Sequence, residues 1–140
     1  HFVLPTLHQD RKQGIAMQVV VEDIKMSYRV RKASTLPYFY KGFTIRTETH
    51  GGPCELDKIQ TDDFAHFLVY GIAHPEKYGE IMAAVMVDLK SVGACLLRDP
   101  SIIEKATKGK GFIEFAYDAF PYPVVVGTYG INEKGEIECL

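Results

Sequence analysis

Apolar and polar positions alternate along this chain with two different periods. Near the start, apolar residues recur at helical spacing with charged residues between them, which predicts a helix over about residues 15–28, preceded by Gly14. Later segments are short, apolar and rich in β-branched or aromatic residues, which is typical of strands. The predicted strands are residues 38–40, 43–49, 65–72, 80–87, 112–117 and 124–129.

The first two strands are predicted to form a hairpin around a tight turn at Lys41-Gly42. In the second of them, Phe43, Ile45 and Thr47 alternate with Thr44, Arg46 and Glu48. Since successive side chains on a strand point to opposite faces, this alternation places Arg46 and Glu48 on one face.

The connecting segments carry turn and helix signals. Gly51-Gly52-Pro53 predicts a loop, and residues 55–63 are polar and turn-like or briefly helical. Residues 88–97 either extend the preceding strand or begin a short helix. Asp99-Pro100-Ser101 predicts the start of a helical turn over residues 102–108, and Glu133-Lys134-Gly135 the turn of a terminal hairpin. One helix followed mostly by strands indicates a single α+β or α/β domain, residues 1–140, with a sheet covered by helices.

Composition excludes some classes of protein. The longest apolar run, residues 81–87, is far shorter than the roughly 20 residues of a membrane-spanning helix, so we expect no membrane association. The net charge of −2 excludes a nucleic-acid binder driven by bulk positive charge alone. Three cysteines without a CxxC pair support neither a disulfide framework nor a cysteine zinc site, which favours a reducing, cytoplasmic location.

Positive charge is concentrated in the first third of the chain. Residues 1–50 hold eight basic and four acidic side chains, whereas the remainder holds eight basic and fourteen acidic ones. This asymmetry indicates a basic binding face, although charged side chains are mostly exposed in any protein. The residues predicted to contact a phosphate backbone are Arg29, Arg31, Lys32, Lys41 and Arg46.

The order of elements between Gln13 and Gly71 is an amphipathic helix, a hairpin, a polar segment and a hydrophobic strand. This order resembles the core of the restriction-endonuclease-like PD-(D/E)XK superfamily, in particular its small Holliday-junction-resolvase-type members. The resemblance implies a mixed sheet flanked by helices. It also implies a site in which two acids and a lysine on hairpin strands hold Mg²⁺, which generates the attacking hydroxide.

In the register of this resemblance, the catalytic acids are replaced. The first acid falls near Tyr38, the second at Thr44 and the lysine at Arg46, while the helix glutamate of resolvase relatives falls near Met17 or Gln18. Neutral side chains cannot supply the charge of a hard-cation site. The resemblance therefore implies a nucleic-acid-associated protein on a nuclease-derived fold, with a degenerate catalytic motif and no cofactor.

A second register keeps the charged residues. Asp63 precedes one predicted strand, and Asp88-Leu89-Lys90 follows the next. Period-2 alternation would place Asp88 and Lys90 on one face, so this register predicts an active Mg²⁺-dependent endonuclease with Asp63, Asp88 and Lys90 as catalytic residues. The alternative is that Asp and Lys simply punctuate strand ends and turns.

Other constellations are less specific. Of His50, Cys54, His66 and His74, only the first two have the spacing of zinc ligands, so the metal ligands stay unknown. A nucleophilic pair of Cys54 and His74 is a further alternative. Residues 108–111, Lys-Gly-Lys-Gly, form a basic turn without the Walker spacing; it either contacts phosphate or is solvated. The aromatic residues of segment 38–43 either stack on bases or fill the core.

A third interpretation belongs to a different class. The net acidity and the replaced metal ligands also suit a module that binds a protein, such as an assembly component, an inhibitor or an immunity-type partner. Salt-sensitive binding to DNA or RNA distinguishes the nucleic-acid interpretation from this one, because counterion release makes phosphate contacts salt-dependent.

Overall fold

The computed structural model describes residues 23–138, which form two sheets and several short helices. In chain order the elements are β1 (Met26–Arg31), a 3-10 turn (Ala33–Thr35), α1 (Leu36–Phe39), β2 (Gly42–Arg46), α2 (Glu55–Gln60), β3 (Phe67–Ala73), β4 (Ile81–Asp88), α3 (Leu89–Arg98), α4 (Ser101–Lys105), β5 (Thr107–Gly109), β6 (Phe112–Ala116) and β7 (Val125–Tyr129). This arrangement confirms the α+β class.

The larger sheet has the strand order β1-β3-β4-β7 and is mixed. Strand β1 runs parallel to β3, while β3–β4 and β4–β7 are antiparallel. The smaller sheet, in the order β2-β6-β5, is antiparallel throughout. Strand β1 is therefore at one edge of the larger sheet, and β2 is at one edge of the smaller sheet.

One core joins the two sheets and helix α3. Leu68, Tyr70 and Ile72 alternate along β3 and are almost completely buried, as the apolar run predicts. Phe43 and Ile45 of β2 belong to the same buried cluster. Helix α3 adds an apolar stripe at helical spacing, namely Leu89, Val92, Cys95 and Leu96.

Two sequence predictions near the start of the described residues are wrong. The predicted helix over 15–28 lies partly outside the described residues, but Met26–Tyr28 belong to β1, where Tyr28 pairs with Val69 of β3. In β1, the period-2 pattern and the pairing with β3 outweigh the helical spacing of Ile24 and Tyr28. Residues 38–40 do not form a strand either, because Pro37 lies in the first turn of α1 and helix α1 continues to Phe39.

The predicted hairpin at Lys41-Gly42 is consequently absent from the described chain. Strand β2 pairs instead with β6, which lies about 70 residues later in sequence, with Thr44 opposite Glu114 and Arg46 opposite Phe112. The other predicted strands are present in β3, β4, β6 and β7. Residues 89–98 take the helical alternative, and an antiparallel bridge from Ile131 to Ile137 closes the terminal hairpin. Among residues 23–138, no helix is both long and apolar enough to cross a membrane.

Candidate functional site

Alternation along the two edge strands directs polar side chains into one cleft. Arg29 and Arg31 share a face of β1, and Thr44 and Arg46 share a face of β2. Together they line a cleft of about 680 Å³, which we call the basic cleft. Its remaining lining residues are Val30, Glu48, Thr49, His50, Lys110, Gly111 and Phe112.

Arg29 connects the two edge strands at the base of the cleft. Its Nη1 donates to the backbone oxygen of Thr44 at 2.5 Å, and its Nη2 donates to both oxygens of Glu55 at 2.6 and 2.8 Å. The two side chains of this ion pair are only 12% and 19% exposed. Because Glu55 neutralises Arg29, the Arg29 side chain is a fixed part of the cleft wall. Its positive charge is balanced within the protein and contributes little to binding a ligand.

Glu55 also binds the last residue of β2. Its Oε1 accepts a hydrogen bond from the backbone N–H of Arg46 at 2.8 Å. Glu55 is the first residue of α2, whose start is fixed by Cys54 and Asp57: both the backbone N–H and Sγ of Cys54 donate to the Asp57 carboxylate. These hydrogen bonds hold the pKa of Asp57 below its usual value. The helix start thus positions the carboxylate that joins both cleft walls.

Three cations of the cleft lack this kind of neutralisation. Arg31 donates a long hydrogen bond, at 3.4 Å, to Oγ1 of Thr44. Within residues 23–138, neither Arg31 nor Arg46 nor Lys110 is within ion-pair distance of a carboxylate. Four cationic side chains against Glu48 and Glu55 give the cleft a formal charge of +2 with His50 neutral, in a chain whose total is −2.

The turn between β5 and β6 brings Lys110 to the cleft. Gly111 has φ +80°, which favours glycine, and its oxygen accepts a hydrogen bond from the backbone N–H of Thr47 at 3.0 Å. A Cβ atom at residue 111 would lie 3.0 Å from Oε2 of Glu48, so the turn is packed closely against the cleft rim. The Lys-Gly-Lys-Gly segment predicted as a basic turn therefore has a defined place beside the cleft.

The two lysines of that segment have different roles. Nζ of Lys108 donates to the backbone oxygens of Ile103, Glu104 and Ala106 at 2.6, 2.7 and 3.1 Å, which satisfies carbonyls at the end of α4. Lys110, in contrast, lines the basic cleft. Only Lys110 is therefore placed for contact with an anion in the cleft.

Three of the five predicted phosphate-contacting residues converge in the cleft, namely Arg29, Arg31 and Arg46. Lys32 is exposed but does not line the cleft. Nζ of Lys41 lies 5.8 Å from the ring centroid of Tyr38, and Lys41 lines a separate groove beside Lys105 and Glu114. The sequence predicted segment 108–111 as a basic turn that either contacts phosphate or is solvated, but it did not group Lys110 with these five residues, because Lys110 reaches the cleft only through the long-range pairing of β6 with β2.

The predicted catalytic residues Asp63, Asp88 and Lys90 lie at one end of the β3–β4 pair, where Asp88 is in register with Phe67. Asp88 caps helix α3: its Oδ1 accepts from the backbone N–H groups of Lys90 and Ser91, and its Oδ2 accepts from the Ser91 hydroxyl. The prediction that Asp88 and Lys90 share a strand face is wrong, because the helix begins at Leu89.

Lys90 and Asp63 line the same groove, where Lys90 forms an ion pair with Asp62. Nζ of Lys90 donates to Oδ1 of Asp62 at 2.7 Å, and Asp63 lines a shallow groove that also includes Lys90 and His66. Both oxygens of Asp88 accept hydrogen bonds of the helix cap, and Asp62, a nearby carboxylate, is paired with Lys90. No group of three or more His, Cys, Asp or Glu side chains between residues 23 and 138 is arranged to hold a metal ion.

The other proposed ligands serve local hydrogen bonds. Sγ of the buried Cys54 donates to Oδ2 of Asp57 at 3.2 Å. Nδ1 of His66 accepts from the backbone N–H of Lys25, and Nδ1 of His74 accepts from those of Glu76 and Lys77, each at 3.1 Å. His50 lines the basic cleft and is exposed.

Comparisons of the chain with protein-family models, with curated proteins and with solved structures found no match. The function is therefore inferred from the chemistry of the basic cleft.

Proposed function

We propose that the protein binds nucleic acid by its phosphate backbone in the basic cleft, on a nuclease-derived scaffold whose catalytic motif is degenerate. The observation that carries this proposal is the grouping of Arg31, Arg46 and Lys110 around one concave site. Like charges held together repel one another, and a polyanion bound between them relieves that repulsion. Guanidinium groups also match the geometry of phosphate oxygens and can bind them through two hydrogen bonds.

The hairpin that the resemblance implies is absent from the described residues, so the nuclease-derived part of the proposal depends on Thr44 and Arg46. In the resemblance to the PD-(D/E)XK superfamily, these residues occupy the positions of the second acid and the lysine, and both line the cleft on the same face of β2. The first-acid position, Tyr38, lies instead in α1 and is exposed. A site that keeps a cation but has threonine in place of the carboxylate is suited to holding a phosphate rather than a divalent cation.

The test is a titration of fluorescently labelled DNA and RNA by the full chain at several salt concentrations. Each variant Arg31→Ala, Arg46→Ala and Lys110→Ala should weaken binding and make the slope of log K against log[salt] shallower by about 0.7–0.9, the contribution of one phosphate contact. Arg98→Ala is the matched control, since Arg98 is an exposed arginine on α3 outside the cleft.

The alternatives predict different results in the same titration. If no oligonucleotide binds even at low salt, the proposal is wrong and a protein partner becomes the better interpretation. If Lys32→Ala and Lys41→Ala weaken binding as strongly as the cleft variants, binding follows the overall basic face of the first third of the chain and not the cleft.

A further inference from the structure

We infer that the basic cleft takes a single unpaired nucleic-acid strand rather than a duplex; this inference rests on the function proposed above. It is carried by three features of the cleft: cations on both of its walls, its limited volume, and an aromatic ring among its lining residues.

The cations lie on opposite walls. Arg29 and Arg31 belong to the β1 wall, whereas Arg46 and Lys110 belong to the wall formed by β2 and the β5–β6 turn. Residues i and i+2 of a strand are separated by about 6.6 Å, so each strand presents its polar side chains along the cleft as well as across it. A single backbone between these walls can be contacted from both sides, whereas a duplex exposes each backbone only on its outer surface.

The volume of the cleft supports the same conclusion. A space of about 680 Å³ is within the range of sites that enclose small ligands, and it accommodates only a short piece of one strand. A B-DNA duplex holds its two backbones apart across grooves about 6 and 12 Å wide, so a space of this volume can take one backbone but not both strands together. A single strand that enters the cleft would contact Arg31 and Thr44, since both residues line it.

The aromatic ring belongs to Phe112, which lies directly opposite Arg46 in the β2–β6 pair. A Cβ atom at residue 109 would clash with the ring of Phe112, so the ring lies directly over Gly109 and leaves no room for a larger residue at that position. Phe112 remains partly exposed and lines the cleft. A base can stack on such a ring only when it is not already stacked in a duplex, while the neighbouring Arg46 holds its phosphate.

The experiment compares four probes with the full chain at low salt: oligothymidylate DNA, oligouridylate RNA, and blunt DNA and RNA duplexes of the same strand length. We expect one or both single strands to bind at least about 10-fold more tightly than the corresponding duplex, and the DNA and RNA arms identify which polymer is preferred. Phe112→Leu should weaken single-strand binding by about 10-fold, consistent with the loss of one stacked base.

Two further variants keep the test decisive. Phe112→Tyr retains an aromatic ring and should retain single-strand affinity, and Tyr122→Leu is a control that removes an exposed aromatic outside the cleft. Duplex binding equal to or tighter than single-strand binding would overturn this inference and leave the proposed function standing. Absence of binding by all four probes would overturn the proposed function itself. Unchanged single-strand affinity in Phe112→Leu would overturn the stacking role.

Discussion

Arg29 donates two hydrogen bonds from one guanidinium nitrogen to the carboxylate of Glu55, at 2.6 and 2.8 Å. The same carboxylate accepts the backbone N–H of Arg46, and the other guanidinium nitrogen of Arg29 binds the backbone oxygen of Thr44. One ion pair thus joins the edge strand of the larger sheet, the edge strand of the smaller sheet and the start of α2. The basic cleft has its shape because this pair holds its two walls together.

Removal of Glu55 should therefore cost more stability than removal of an ordinary surface carboxylate. In Glu55→Ala, the largely buried guanidinium of Arg29 loses its charged partner and the N–H of Arg46 loses its acceptor. We expect the free energy of unfolding to fall by roughly 1–3 kcal/mol, measured by urea denaturation. The control is Asp62→Asn, which removes the charge of the more exposed Lys90–Asp62 pair, keeps a side chain that tolerates the positive φ of residue 62, and should cost less than about 1 kcal/mol. Equal losses in the two variants would contradict the structural role of Glu55.

Gly93 is predicted to resist substitution even though it lies within a helix. A Cβ atom at this position of α3 would lie 2.6 Å from the backbone oxygen of Ile59 in α2, a contact that forces the helices apart. Gly93→Ala should lower the free energy of unfolding by roughly 1–3 kcal/mol, despite the better helix propensity of alanine.

The neighbouring residue supplies the matched control for this prediction. Ala94 is exposed on the same helix, so Ala94→Gly should cost about 1 kcal/mol through helix propensity alone. Urea unfolding of both variants separates the two effects. A stabilised Gly93→Ala protein would contradict the close packing of α3 against α2.

The sequence predicted those parts of the fold in which local pattern and burial agree. Strands β3 and β4 are apolar runs buried in the core, and the short helix at Glu55–Gln60 was one of the two alternatives for its segment. Prediction failed for β1, because a pattern of period 2 and one of period 3.6 overlap between Ile24 and Tyr28, and only the pairing with β3 decides between them. It failed for residues 38–40 because aromatic strand propensity is weaker than the helix-starting geometry of Pro37.

The candidate site was predictable only in part. Charge asymmetry identified Arg29, Arg31 and Arg46, which lie on the two strands that line the cleft. It could not distinguish these from Lys32 and Lys41, since whether a basic side chain lines the cleft depends on strand register. Glu55 joins the site through contacts between residues far apart in sequence, for which a single sequence contains no local signal. The basic turn at 108–111 was visible in the sequence, but the place of Lys110 beside Arg46 depends on the pairing of β6 with β2.

Asp88→Ala is expected to affect stability and not DNA cleavage. The Asp88 carboxylate caps α3 through Lys90 and Ser91, and the loss of such a cap costs about 1 kcal/mol, measurable by thermal or urea unfolding. We expect no nicking of supercoiled, branched or single-stranded DNA by the full chain with Mg²⁺ or Mn²⁺. Nicking that is abolished by Asp63→Ala, Asp88→Ala and Lys90→Ala would instead establish the active-endonuclease hypothesis.

Tyr117 should make the stability of the protein fall in alkaline solution. Its hydroxyl donates to the backbone oxygen of Phe39 at 2.8 Å, and burial, together with the nearby Tyr70 and Glu114, raises its pKa well above the usual value of about 10. A raised pKa in the folded state means that the folded protein retains the phenol proton more tightly than the unfolded chain does. The stabilising contribution is therefore complete below pH about 10 and is lost as the pH rises above it.

The variant that tests this contribution is Tyr117→Phe. At neutral pH it removes one hydrogen bond and should lower the free energy of unfolding by about 1 kcal/mol. Above pH about 10 its stability should fall less steeply than that of the unsubstituted protein, because the phenol that must ionise on unfolding is gone. Tyr129→Phe is the control, since Tyr129 is 64% exposed on β7, and it should leave the alkaline slope unchanged. Urea denaturation at a series of alkaline pH values measures how the free energy of unfolding changes with pH in each protein. Identical slopes in Tyr117→Phe and the unsubstituted protein would show that the Tyr117–Phe39 hydrogen bond does not govern the loss of stability at alkaline pH.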